Sequence, residues 1–208
     1  MTGPATPPPL PLPPSPSRAP AWSAGRWTHQ PAAVRSDGTD LLVEAQQGSD
    51  AWRHTAYGFV HDSEHGLLAP LPVPGAIEVA FVADYGRTFD QAGVLVRCAD
   101  DEWVKAGVEM SDGVLQMASV VTHGTSDWSV APVPDWAGRH VTVRASLDAG
   151  ALVVRARVDD EPFRLVRVAE FAAGLPVEAG PYCCSPMHPG LVVRFTSWRT
   201  GAADASLH

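Results

Sequence analysis

From Leu41 onward, short runs of alternating apolar and polar residues recur about every eight to twelve residues, and this spacing limits the fold more than any other feature. Leu41 to Ala45, Ala76 to Ala83, Ala92 to Cys98, Trp103 to Met110 and Val114 to Thr122 read as strands. Val141 to Leu147, Leu152 to Val158, Phe163 to Val168 and Leu191 to Trp198 continue the series. Asp100-Asp101, Asp112-Gly113, Asp148-Ala149-Gly150 and Asp159-Asp160 supply tight turns between neighbours. No stretch longer than about ten residues holds a helical period, and only Val168 to Gly174 suits a single helical turn. The pattern predicts an all-β jelly-roll sandwich of two antiparallel sheets, one domain spanning residues 21–200, with a flexible C-terminus over 201–208. Residues 1–20 hold nine of the 20 prolines. Each fixes φ and removes a backbone donor, so this stretch is expected to be a disordered, extended tail.

Alternation also separates the faces. In Trp103 to Met110 the even positions Val104, Ala106, Val108 and Met110 are core residues, and the odd ones are Trp103, Lys105, Gly107 and Glu109. The preceding strand puts Ala92, Val94, Val96 and Cys98 on the core side, with Gln91, Gly93, Leu95 and Arg97 opposite. Gln91, Arg97, Trp103, Lys105 and Glu109 are therefore expected on one common face. An antiparallel sheet often has one wet face, and Lys105 with Glu109 also fits an ordinary surface pair. Mixed charge, an indole and two mid-strand glycines on adjacent strands favour a functional surface. Gly93 and Gly107 suggest close approach by a ligand or by another backbone.

Charge and cysteines narrow the function classes. The net charge of −8 argues against a nucleic-acid backbone binder or an anionic membrane surface. No apolar run reaches the roughly 18 residues of a membrane span. Fourteen of the 15 basic residues are Arg, which fits a high-GC, bacterial coding bias and singles out Lys105, the only lysine. The three cysteines, Cys98, Cys183 and Cys184, are an odd set with an adjacent pair. They are expected as reduced thiols in a reducing, cytoplasmic compartment.

Six ordered runs carry a family resemblance: Trp52 to Phe59 (WRHTAYGF), Phe89 to Arg97 (FDQAGVLVR), Trp103 to Glu109 (WVKAGVE), Val120-Val121-Thr122, Ser126-Asp127-Trp128-Ser129 and Gly180 to Pro186 (GPYCCSP). Together, over roughly Leu41 to Arg199, they resemble the family related to the yeast regulation-of-enolase protein, a domain family of unknown function. The resemblance implies a concanavalin A-like (lectin/glucanase) jelly roll and no particular reaction. It also implies that Asp62 and His65, which follow Tyr57-Gly58-Phe59, face the same cleft as Lys105. Tyr57, Thr122 and Trp128 join the candidates through their motifs. Lys105-Ala106-Gly107-Val108 is similar to a stretch of jelly-roll alginate lyases, but Glu109 stands where those enzymes carry a catalytic tyrosine. The E-x-D-x-E strand of jelly-roll glucanases is absent, and retaining hydrolysis needs two carboxylates about 5 Å apart.

His61-Asp62-Ser63-Glu64-His65 carries two imidazoles and two acids, but its histidines stand four apart in an expected turn. It is read as a loop, with no metal and no cofactor expected. Cys183-Cys184 is read as a structural turn, and the chain has no G-x-S-x-G elbow, phosphate loop or dinucleotide fingerprint. Three functions follow. The first is binding of a saccharide or similar polar small molecule on the concave face by Tyr57, Asp62, His65, Gln91, Arg97, Trp103, Lys105, Glu109, Thr122 and Trp128. The second is an enzyme on sugars or sugar acids with Lys105 or His65 as base, Glu109 as acid and Arg97 against a substrate carboxylate. The third is a regulatory domain with a protein partner, by analogy with the family name.

Overall fold

The structure is a computed structural model that describes residues 22–148, 150–171 and 176–207. The proline-rich stretch and the Ala149 turn position lie outside the described residues. Strands are numbered along the chain. One sheet runs β1 (Arg26–Trp27), β6 (His65–Pro70), β15 (Glu178–Cys184), β8 (Gln91–Ala99), β9 (Glu102–Ser111), β10 (Val114–His123) and β11 (Thr125–Pro132). The other runs β14 (Arg164–Glu170), β13 (Ala151–Val158), β12 (His140–Asp148), β7 (Gly75–Val82), β16 (Val192–Gly201), β3 (Asp40–Glu44) and β2 (Ala33–Asp37). Neighbours within both sheets pair antiparallel, and the two sheets form a concanavalin A-like jelly roll. Ile77, Val79, Phe81, Val143, Val154 and Phe195 of one sheet pack on Val94, Val96, Val104 and Val108 of the other. The even positions of β8 and β9 thus face the core, as their alternation predicts.

The β9–β10 turn has Asp112 at φ 52° and Gly113 at φ 77°. Two left-handed residues in succession match the twist of a two-residue hairpin, which is why Asp-Gly marks it. Val168 to Glu170 extend β14 rather than start a helical turn; the remainder of that expected turn falls largely outside the described residues. The segment expected as a loose C-terminus makes specific contacts. Arg144 on β12 donates from Nε to Asp204 Oδ1 at 2.8 Å and from Nη2 to the Ala202 carbonyl at 3.0 Å. Arg155 on β13 donates to Asp204 Oδ2 at 2.7 Å and to the Leu207 carbonyl at 2.8 Å. Among the described residues no helix is long and apolar enough to cross a membrane.

A two-stranded ribbon, β4 (Ala51–Arg53) with β5 (Val60–Asp62), positions the site. Arg53 donates its backbone N–H to Ser126 Oγ at 3.0 Å and its Nε–H to the Gly124 carbonyl at 3.1 Å, which ties the ribbon to the β10–β11 turn. On the outer face of the first sheet, Ala51 and Trp52 join Leu68, Leu95, Trp103, Val120, Tyr182 and Cys184 in a second apolar cluster. That face is therefore largely covered by the ribbon.

Candidate ligand-binding cleft

Beyond the ribbon's cover the outer face opens into a cleft of about 370 Å³. Its floor follows from strand register. Glu109 on β9 lies opposite Gln91 on β8 and Gln116 on β10, and Lys105 lies opposite Leu95 and Val120. Lys105 is only 3% exposed. Its Nζ donates to Asp50 Oδ1 at 2.7 Å and to Gln91 Oε1 at 2.9 Å. An ammonium has three donors, so one is left without a protein acceptor among the described residues. Gln91 is oriented by donating its Nε2–H to the Phe89 carbonyl at 3.2 Å. Asp50 is set by the start of the ribbon: its backbone exchanges bonds with Ser63, and its Oδ1 also accepts from Ala51 N–H at 2.8 Å.

Electrostatics at the floor separate two groups. Burial alone lowers the Lys105 pKa, but the adjoining Asp50 carboxylate, together with Cys184 and Glu109, outweighs it and holds the ammonium above its ordinary value. Glu109 has no protein hydrogen bond among the described residues, and burial pushes its carboxyl up to about 7 against the opposing pull of Lys105. Near neutrality Glu109 therefore exists as both donor and acceptor. Lys105 is therefore not half of an ordinary surface pair on a wet face. Removing it leaves Asp50 without its cation, which costs about 2–3 kcal/mol, discounted from a fully buried pair because Asp50 is partly open.

Aromatic residues make the wall. Trp52 meets Tyr57 and Trp128 edge-on at centroid distances of 5.8 and 6.5 Å, and Tyr57 stacks on Phe59 at 5.3 Å. Phe59 meets His61 at 4.6 Å. Tyr57 and Phe59 remain 59% and 43% exposed. Three non-glycine residues near the cleft adopt left-handed backbone: His54 (φ 62°), Ala56 (φ 64°) and Phe89 (φ 65°). Such conformations cost energy and concentrate at binding sites. Trp128 Nε1 is buried at the edge of the cleft without a hydrogen-bond acceptor among the described residues.

Of the residues nominated from sequence, Tyr57, Gln91, Lys105, Glu109 and Trp128 line the cleft, and the other five lie elsewhere. Trp103 and its cross-strand partner Thr122 are buried at the opposite end of β9 and β10, beneath the ribbon; Thr122 Oγ1 bonds Ser126 Oγ at 2.9 Å. Arg97 lies opposite Trp103, where it pairs with Glu64, Asp62 and Asp100. His65 is buried in β6, donating Nδ1–H to the His29 carbonyl at 3.0 Å and accepting the Gln46 N–H at Nε2. Both proposed bases are thereby corrected: Lys105 is held protonated by Asp50, and neither nitrogen of His65 is free. Asp50, Trp52, Phe59, His61, Phe89 and Met187 are among the lining residues that alternation did not bring to the face. Outside the cleft, His29, Asp62 and Glu64 gather as the one group with metal-ligating geometry among the described residues.

The fold is that of a lectin/glucanase-type sandwich, with one aromatic-walled cleft on its outer face. The chain belongs to the family described as a protein of unknown function, DUF1349, which matches residues 27–203. It is 35% identical over 187 residues to Regulation of enolase protein 1 of Saccharomyces cerevisiae, covering 89% of this chain and 94% of that protein. A crystal structure of a functionally unknown protein from Saccharomyces cerevisiae superposes with a TM-score of 0.83 at 34% identity, covering 88% of this chain and 98% of the other. A xylan β-1,4-xylosidase from Bacillus halodurans shares the fold at a TM-score of 0.66 and 12% identity, over 93% of this chain and 41% of that one.

Proposed function

We propose that the cleft binds a saccharide or a similar polyhydroxylated small molecule. One observation carries this reading: an aromatic wall, with Tyr57 and Phe59 stacked and exposed, stands over a desolvated polar floor that keeps unused hydrogen-bonding capacity. Aromatic faces stack on the apolar faces of sugar rings, while a few fixed polar groups set orientation. The free donor of Lys105, the carboxyl of Glu109 and the indole N–H of Trp128 supply those groups. The volume suits a ligand of one or two sugar rings. Sandwich domains of sugar-cleaving enzymes such as the xylosidase share the fold, which accords with a saccharide ligand. The three cysteines are free, and a reducing, cytoplasmic setting accords with that.

Trp52 and Trp128 make the test direct. Tryptophan fluorescence is followed while xylose, xylobiose, other neutral sugars and sugar acids are added. The expected outcome is saturable change with at least one sugar, lost in Trp128→Ala and weakened at least tenfold in Lys105→Met at a temperature where that variant stays folded. No response across the panel, or an undiminished one in both variants, overturns the assignment. Glu109 favours a second reading, an enzyme in which its near-neutral carboxyl is the proton donor; turnover of a bound sugar, abolished by Glu109→Gln, distinguishes it. The exposed apolar rim of Tyr57, Phe59, Val60 and Met187 accords with a protein partner, as the yeast relative's name suggests.

A further inference from the structure

We propose that His29, Asp62 and Glu64 form a site for a divalent cation of the zinc class, separate from the cleft. A ring nitrogen of His29 and one carboxylate oxygen from each acid lie within 4.8 Å of one another. Small side-chain adjustments bring three such ligands onto one ion at bond lengths of about 2.0–2.2 Å. His29 Nδ1 lies 3.1 Å from the Glu64 carbonyl oxygen. A carbonyl only accepts, so the proton is on Nδ1 and the lone pair is on Nε2. Metal-binding histidines are commonly oriented through a carbonyl in this way.

Glu64 supplies an independent observation. It is 1% exposed, and among the described residues its Oε2 has no hydrogen-bond partner. A buried carboxylate oxygen without a donor costs free energy unless a further group satisfies it. Arg97 contacts only the first oxygen of each acid, Glu64 Oε1 at 3.2 Å and Asp62 Oδ1 at 3.5 Å, and also holds Asp100 at 2.7 Å. It thus acts as an outer support of the kind that fixes ligating carboxylates. The carboxylates of Asp62, Glu64 and Asp100 outnumber the one guanidinium of Arg97, an excess of negative charge that a dication offsets.

The donor set selects the ion. One imidazole nitrogen with two carboxylates suits zinc and related first-row ions, whereas calcium and magnesium prefer oxygen alone. His29 also borders a groove of about 500 Å³ beside Gln46, Gln47, Ser49 and Ser63, which opens a route from solvent. The two histidines of the 61–65 motif are not the ligands: His61 packs on Phe59, and both nitrogens of His65 are engaged. The imidazole comes instead from the N-terminal segment.

Isothermal titration of the full, tag-free chain with zinc chloride tests the site. The expected result is one zinc per chain. Two variants outside the core, His29→Ala and Asp62→Asn, each weaken uptake at least tenfold, and excess magnesium or calcium fails to compete. Glu64→Gln abolishes uptake if it folds; the other two variants decide the matter if it does not. Absence of uptake, or uptake unchanged in both, overturns the proposal, and displacement by calcium overturns the ion class.

Discussion

Glu109 is the residue at which burial and charge oppose each other most directly. Its carboxyl is raised from 4.5 to about 7 in the folded protein, chiefly by desolvation and despite Lys105. The folded state therefore binds this proton more tightly than the unfolded chain does. The associated stability is fully present below about pH 4.5 and is lost as pH rises through about 7. Glu109→Gln, which cannot ionise, is expected to be more stable than the parent above pH 7 by at most about 3 kcal/mol, with the difference vanishing towards pH 4.5. Urea midpoints of the two proteins across this range check it; a parallel pair of curves would exclude Glu109 as the titrating group. The same residue marks the reach of sequence reasoning. Alternation identifies which face Glu109, Lys105 and Gln91 occupy, because strand geometry leaves two choices. It does not identify Asp50, whose approach depends on a ribbon folded from elsewhere in the chain.

Strands explain both what alternation predicts and what it misses. β7 to β10, β12, β13 and β16 have repeating apolar positions that face the core, and their turns carry Asp or Gly. β15 hides behind Gly180-Pro181, a pair that normally argues against an interior strand. It nevertheless lies between β6 and β8, because its pairing with β6 skips from Ala179 to Tyr182 and makes no demand on the missing proline N–H. β9 is long enough for its outer face to serve two environments, which is why Trp103 and Glu109 share a face without sharing a site. Gly93 and Gly107 belong to the ladder itself. They are cross-strand partners, and a Cβ on Gly107 would fall 2.0 Å from the Ala92 carbonyl oxygen. The close approach is thus by another backbone rather than by a ligand. Gly107→Ala is expected to cost at least about 2 kcal/mol by forcing β8 and β9 apart, and to shift the amide signals of both strands. A variant as stable as the parent would show that the ladder yields without strain.

Across the whole molecule, the ends of the chain are expected to matter unequally. Arg144 is 1% exposed, and its charge is met by Glu78 at 3.0 Å and by Asp204. Asp204→Ala leaves part of that buried charge uncompensated, so it is expected to destabilise the fold by roughly 3 kcal/mol. Removing residues 1–20 is expected to leave the melting temperature nearly unchanged. Thermal unfolding of the two altered proteins beside the parent checks both, and the reverse order of effects would refute the assignment of the C-terminal contacts. The strand order has a further consequence for synthesis. β15 and β16, among the last strands translated, are inserted between earlier strands in both sheets. A ribosome that stalls before them releases two sheets that each lack an interior member. The chain must therefore be held open, with apolar edges exposed, until translation is nearly complete, so this protein is expected to be a customer of nascent-chain chaperones.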